Sequence, residues 1–327
     1  MKVLALDFGG SSVKYGIVDE NAVISESGKR PAPLSSVEEF LDTVESLYEQ
    51  YKDAVEGIGI SIPGNVDPES GILFENGVYQ ELYGKSITDL VKEKCGVPTA
   101  VENDGKCGAL SEAWKGALKD CKDGAVIILG SGIAGGIIKD HTIHSGKGFN
   151  AGEFSFQVTN PGEYSMLTTA FMSAGMLGVT YKLCKLKNLD FSVQDSSPSM
   201  YLFDSMFASR FAQPEGEPLK IKADGRQFFK WVEDGDEDAL KIYREFIVAL
   251  GALVVNTQIC YAPERIVIGG GLSANEHVLP DLQKEIDQYY TNIGLGEKMR
   301  AEVVRSGYLG ESNLFGATYN YILHNKR

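Results

Sequence analysis

Cysteine is scarce and unpatterned in this chain of 327 residues. Cys95, Cys107, Cys121, Cys184 and Cys260 make an odd count, and none falls in a CxxC pair. A disulfide framework and a thiolate zinc site both lack support, and the pattern predicts a reduced, cytoplasmic setting. Histidine is as sparse: His141, His144, His277 and His324 are scattered and make no HExxH or similar metal spacing. Positive charge is also short, with 31 Lys and Arg against 45 Asp and Glu and a net charge of −14. That argues against a broad nucleic-acid footprint, which needs a basic face. It leaves room for small anions, because a local loop can overrule the global field. No run approaches the ~18 apolar residues of a membrane span. The opening MKVLALDFGG carries one Lys and then an Asp within a short apolar run, so it reads as a first strand rather than a signal peptide.

What remains is an ordinary globular composition, 43% hydrophobic and 23% charged. At ~150 residues per domain the length predicts about two domains. Residues Val3–Phe8, Val13–Val18 and Val23–Ser27 read as short strands joined by tight turns. Ser36 with Glu39 makes a capping box for a helix whose apolar residues, from Val37 to Tyr51, recur at 3, 4 and 7 spacing. A strand at Val55–Ile60, a helix at about Thr88–Lys94, a strand at Thr99–Glu102 and a helix opened by Asn103-Asp104 follow. At Gly124 the opening pattern restarts: strand Ala125–Leu129, small-residue turn, strand Ala134–Lys139. This predicts a degenerate internal duplication. Tyr164 to about Phe229 reads as mostly helical, with a polar loop at Gln213–Pro218. Asp236 caps a long helix to about Cys260 whose second half is apolar all round, hence buried. Strand Arg265–Ile268, helix Ala274–Tyr290, strand Ala301–Arg305 and helix Asn313–Leu323 complete an alternating α/β chain, with a boundary near residues 115–124.

Five segments carry chemistry. DFGGSSVK brings Asp7 to a turn of small residues, Gly9, Gly10, Ser11 and Ser12, with Lys14 just beyond. Such a turn can aim backbone N–H groups at phosphates, with Asp7 holding a hydrated Mg²⁺; a plain hairpin with a capping Asp is the alternative. LGSGIAGGI repeats the arrangement at Gly130, Ser131 and Gly132. VIGGGLS runs from a strand into an expected helix through Gly269, Gly270 and Gly271, without dinucleotide spacing. Three such turns together suggest a nucleotide held between two domains. VENDGKCGALSEAW places Asn103 and Asp104 between a strand end and a helix start. Either residue serves as a helix cap; alternatively Asp104 is a general base for phosphoryl transfer to an alcohol, with Asn103 bonding the substrate. HSGKGFNAGEF offers Glu153 to sugar hydroxyls, or simply to water.

These segments in this order, with GIGISIPGNVD between the first and VENDGKCGALSEAW and with PERIVIGGGLS at the end, resemble the ROK group (repressors, open reading frames, kinases) of sugar kinases. The resemblance implies an α/β, actin-like, hexokinase-type fold, with two ribonuclease-H-like domains around a cleft. The domains would be 1–118, joined by the closing helix 311–327, and 119–310. It implies ATP with Mg²⁺, a hexose or substituted hexose phosphorylated at the 6-OH, and a cytoplasmic homodimer. Residue by residue, Asp7 would serve Mg-ATP. Gly9, Gly10, Ser11, Ser12 and Lys14 would form the first phosphate loop, and Gly130, Ser131 and Gly132 the second. Gly269, Gly270 and Gly271 would lie near the adenosine. Asn103, Glu153 and Gly64 would bind sugar, and Asp104 would bind it and act as the base.

Where the family continues Ala-Gly-Glu with Gly-His, this chain has Ser155 and Phe156, and the later cysteine-rich zinc motif is replaced by NPGEYSMLTTAFM. Zinc is expected to be absent, and the altered pocket predicts a substituted sugar such as a β-glucoside or an N-acylated hexosamine. The competing readings are a non-catalytic sugar sensor of the same fold and a DNA-binding regulator. Asp7 lies too near the start to leave room for a preceding helix-turn-helix.

Overall fold

The computed structural model describes residues 1–327 except 76, 161, 163–165, 191–216, 218, 222, 309 and 326–327. The loop at Gln213–Pro218, all but Glu217, and the middle of the 164–229 segment lie outside the described residues; the described parts of that segment include the helices Ala170–Ser173, Met176–Lys187 and Gly225–Glu233, as its mostly helical reading expects.

Strands β1 (Lys2–Phe8), β2 (Ser12–Asp19) and β3 (Ile24–Pro31) form an antiparallel meander. Helix α1 (Val37–Tyr51) follows, and the Ser36 hydroxyl accepts the Glu39 N–H as the capping pattern predicts. β4 (Gly57–Ile62) lies parallel to β1. The excursion β5 (Ile72–Leu73), β6 (Lys85–Ser86) and α2 (Ile87–Cys95) leads to β7 (Thr99–Asn103), parallel to β4. The sheet order is β3-β2-β1-β4-β7. β1 and β4 are buried on both faces, which is why they read as continuous apolar runs rather than alternating ones.

Helix α3 (Asp104–Lys115) carries the chain to the second sheet. β8 (Gly124–Leu129), β9 (Ile133–Lys139) and β10 (Thr142–Ile143) form another antiparallel meander. The short α4 (Ala170–Ser173), α5 (Met176–Lys187), α6 (Gly225–Glu233) and α7 (Glu237–Tyr261) come next. Then β11 (Arg265–Gly269), α8 (Val278–Ile293) and β12 (Glu302–Arg305) follow. The order is β10-β9-β8-β11-β12, with β11 parallel to both β8 and β12. The restart at Gly124 is thus a second copy of the first sheet's strand order and strand directions.

Helix α9 (Ser312–Asn325) closes the chain. It packs on β1, β4 and β7 of the first sheet and across α3, which in turn lies on β9 of the second. A side chain at Gly316 would run into the Cys107 backbone, and one at Gly59 into the Ala317 backbone. Glycine at these places lets two helices and a strand approach backbone to backbone. Each sheet has its own apolar core, one centred on Leu6, Phe40 and Ile60, the other on Ile127, Phe228 and Leu250.

Candidate active site

The glycine turns stand at strand ends. In the first, the Gly9 N–H donates to Ser12 O at 2.9 Å, and the buried Tyr79 donates its hydroxyl to Gly9 O at 2.8 Å. Gly10 and Ser11 stay exposed at the tip. Lys14 pairs in register with Asp7, and its Nζ donates to Gly310 O at 3.3 Å. In the second turn the Gly130 and Ser131 carbonyls accept from Met176 and Leu177 N–H at 3.0 and 2.9 Å, the start of α5. The Gly130 N–H donates to Gly132 O at 3.0 Å, which closes the turn on itself. In the third, Gly270 has φ +83 and any side chain would collide with the Leu129 backbone, so the turn lies against the end of β8. One expectation is corrected here: no long helix starts at the three glycines. A 3₁₀ turn, Gly271–Ala274, and an extended Asn275 intervene, and α8 begins at Val278. Glycine's backbone freedom lets the chain turn before it winds.

Asp7 Oδ1 accepts from Ser61 Oγ at 2.9 Å and from Asn313 Nδ2 at 3.0 Å. Both bonds fall on one oxygen, which leaves Oδ2 free of them; a hard carboxylate oxygen beside a glycine turn fits a water of a hydrated Mg²⁺. Among the described residues no three His, Cys, Asp or Glu side chains gather into a metal cage. The replacement segment NPGEYSMLTTAFM falls partly outside the described residues.

Asn103 is both a cap and a clamp. Its Oδ1 accepts the Lys106 N–H at 3.1 Å, and its Nδ2 donates to Gly64 O and to Asp104 Oδ1, each at 3.0 Å. Gly64 has φ +115, and a Cβ there would come within 2.8 Å of Glu75 O. Asp104 Oδ1 also accepts the Gly105 N–H at 2.8 Å. Burial pushes the Asp104 carboxyl up to about 6, with the Asp7 charge acting the same way and the Gly105 N–H opposing. A Cβ on Gly105 would lie 2.6 Å from Gly135 N, so Asp104 sits where the two sheets' structures meet.

Lys106, passed over in the sequence, is wholly buried. Its Nζ donates to Phe149 O at 2.9 Å and lies 3.9 Å from Glu153 Oε1. Burial raises the Glu153 carboxyl and Lys106 opposes it. Glu102, also wholly buried, is raised to about 7 by burial against the same lysine, while its Oε1 accepts the Asn103 N–H at 2.7 Å. Asn65, buried beside Gly64, donates from Nδ2 to Asn150 Oδ1 at 3.0 Å. The available signal for Lys106 was its place between Gly105 and Cys107 on a helix face otherwise made of small and apolar residues. Ser155 is structural: its Oγ bonds both the N–H and the C=O of Ile133 at 2.9 Å. Phe156 is half exposed at the end of the 3₁₀ turn Phe154–Phe156.

The family model described as ROK family matches residues 3–163 and 207–321. This chain belongs to the ROK family. It is 26% identical over 327 residues to a β-glucoside kinase of Klebsiella pneumoniae, covering 98% of this chain and 96% of that protein. It is 27% identical over 291 residues to an N-acetyl-D-glucosamine kinase of Aliivibrio fischeri, covering 88% and 90%. The ROK family glucokinase of Streptomyces griseus, solved with glucose and AMPPNP, superposes with a TM-score of 0.74 at 23% identity, covering 97% of this chain and 98% of that one. The fold is accordingly the actin-like, hexokinase-type fold of ROK sugar kinases. Among the described residues no helix is long and apolar enough to cross a membrane.

Proposed function

We propose that this ROK protein is an ATP-dependent kinase that transfers the γ-phosphoryl group to the 6-OH of a hexose or substituted hexose, with Asp104 as general base. What supports the reading most is the placement of Asp104. It opens a helix between the two sheets, is held by Asn103 and the Gly105 N–H, and has an affinity for protons close to that needed to accept one near neutral pH. Phosphoryl transfer asks little more of a protein than position and charge. The backbone turns at Gly9–Ser12 and Gly130–Gly132 would hold phosphate, with Lys14 nearby and the Gly269–Gly271 turn beside the adenosine. Asp7 would hold Mg²⁺ through water. When bound, that ion screens the phosphate charges. Asn103, Glu153 and the Gly64 carbonyl would bind sugar hydroxyls, and Lys106, 3.9 Å from Glu153, favours the charged form of its carboxyl against the pull of burial. The reading extends to a cytoplasmic homodimer with lobes 1–118 plus 311–327 and 119–310.

The test is ADP release from Mg-ATP against a panel of hexoses, N-acylhexosamines and β-glucosides, with the parent and Asp104→Asn. The parent should turn over at least one sugar. The variant should lose about 10²–10⁴-fold in kcat while still binding Mg-ATP. A variant within a few-fold of the parent would remove Asp104 as the base. No turnover on any sugar, with nucleotide binding intact, would favour the sensor reading.

A further inference from the structure

Glu102 stands beside the site and has no part in the transfer itself. It is wholly buried, next to last on β7. Its Oε1 accepts the N–H of the next residue, Asn103, at 2.7 Å. Its Oε2 is buried with no hydrogen-bond partner among the described residues. An unpaired buried oxygen is costly, so an apolar side chain would serve a plain strand end better.

The helix cap gives the carboxylate its purpose. In a capping box the cap side chain takes the N–H three residues on, and the residue there returns an acceptor to the cap's own N–H. Half of that exchange is present, because Asn103 Oδ1 accepts the Lys106 N–H at 3.1 Å. Lys106 cannot return the other half, since an ammonium has no acceptor. Glu102 supplies it from the opposite side, one residue before the cap. That frees position 106 to carry the buried ammonium that reaches Phe149 O at 2.9 Å and lies 3.9 Å from Glu153.

The bond also fixes the residue on which Asp104 leans. With its N–H and Oδ1 both tied, Asn103 directs Nδ2 to Gly64 O and to Asp104 Oδ1, each at 3.0 Å. Without the Glu102 acceptor the Asn103 N–H is buried and unpaired, and the peptide must turn to find another partner. Strand register keeps Glu102 apart from the nucleotide side. It lies in line with Ser61, and Ser61 with Asp7, so Asp7 is two strands away, roughly 10 Å at the backbone.

We infer that Glu102 is the positioning residue of the base: its acceptor holds the Asn103 peptide, and through it the Asn103 amide and the Asp104 carboxyl, in the arrangement that receives the sugar hydroxyl. This rests on the kinase reading of the same site. The test is a pair of variants of nearly equal length. Glu102→Gln keeps an acceptor for the Asn103 N–H, and Glu102→Met fills the same space with none. Kinetics are measured at pH 8, well above the Asp104 midpoint of about 6. With the best sugar of the panel, Glu102→Met should lose about ten-fold in kcat and raise the sugar KM about five-fold, with the KM for Mg-ATP unchanged within about twofold. Glu102→Gln should stay within about threefold of the parent on all three. A residue that served folding alone would lower kcat through the folded fraction and leave both KM values where they were. Two variants alike in sugar KM, or a Met variant matching the parent, would overturn the inference. Should Glu102→Met fail to fold, Glu102→Asp takes its place. Its carboxyl is drawn back by one methylene, so the same split is expected, and parent-like kinetics there would overturn the inference equally.

If the parent phosphorylates no sugar, the kinase reading fails on its own and calorimetry with glucose and N-acetyl-D-glucosamine decides. The sugar that binds the parent should bind Glu102→Met about five-fold more weakly than Glu102→Gln. Equal affinities in the two variants, or no binding by the parent, would overturn the positioning role.

Discussion

Asp104 and Lys106 stand two positions apart at the start of one helix and pull the same protons in opposite directions. Burial and the Asp7 charge raise Asp104 to about 6, while Lys106 lowers it. Lys106 also lowers Glu102 and Glu153. If Asp104 must be ionised to act, kcat/KM rises with pH through about 6 and levels off above it, reaching roughly a tenth of the plateau one unit below. The sign for Lys106→Met follows. Removing the buried cation takes away a stabiliser of the carboxylate form, so the profile's midpoint moves up and activity at pH 6 falls more than activity at pH 8. The same change leaves the Phe149 carbonyl without its donor and should cost about 2–3 kcal/mol in a urea titration. A loss of stability with an unmoved midpoint would make Lys106 a structural residue alone.

Elements show how much of this was open to reading. Strands and helices were legible because their signals are local. The Ser36, Asn103 and Asp236 caps, the apolar runs of β1 and β4, and the all-round apolar stretch of α7 each determine their own element. The repeat of strand, turn and strand at Gly124 likewise came through as a repeated sheet order. The start of α8 was misplaced because three glycines are compatible with a helix start and with a further turn. The partners of the site residues were not legible. Asp7 with Asn313, Asn65 with Asn150 and Lys106 with Phe149 are joined only by folding. The α3–α9 crossing bears on the first of these joins, since α9 carries Asn313 to Asp7. Gly316→Ala puts a methyl into the Cys107 backbone. It should destabilise by at least the 1–3 kcal/mol typical of overpacking and lower kcat through Asp7. Gly296 has φ −69 and open space around it, so Gly296→Ala should be neutral or stabilise by a few tenths of a kcal/mol. Equal denaturant midpoints for the two variants would mean that α3 and α9 slide apart without strain.

On the scale of the whole molecule, two separately cored sheets must act as one body, and one buried carboxylate ties their connections. Glu112, near the end of α3, accepts the Ala117 N–H at 2.7 Å through Oε2, and its Oε1 accepts the Ser306 hydroxyl. Ala117 lies on the segment that leaves the first sheet, and Ser306 on the segment that returns to it after β12. Ser306 Oγ also takes the Tyr308 N–H at 3.0 Å, which stiffens the return. Glu112→Ala takes the acceptor from the half-buried Ala117 N–H, a cost of about 1–3 kcal/mol, while the Ser306 hydroxyl keeps Tyr308 O at 2.8 Å as its acceptor. The larger effect should be on cooperativity. The two tryptophans report separately: Trp114 stacks on Tyr319 at the α3–α9 crossing, and Trp231 packs against the second core. In the Trp114→Phe and Trp231→Phe backgrounds, urea midpoints should coincide for the parent and separate for Glu112→Ala, with a shallower slope at each, as expected when one transition becomes two. If the variant unfolds in a single transition that merely shifts to lower urea at unchanged slope, Glu112 contributes stability without coupling the halves. The packing of α9 on both α3 and the first sheet is then enough to make them one cooperative unit.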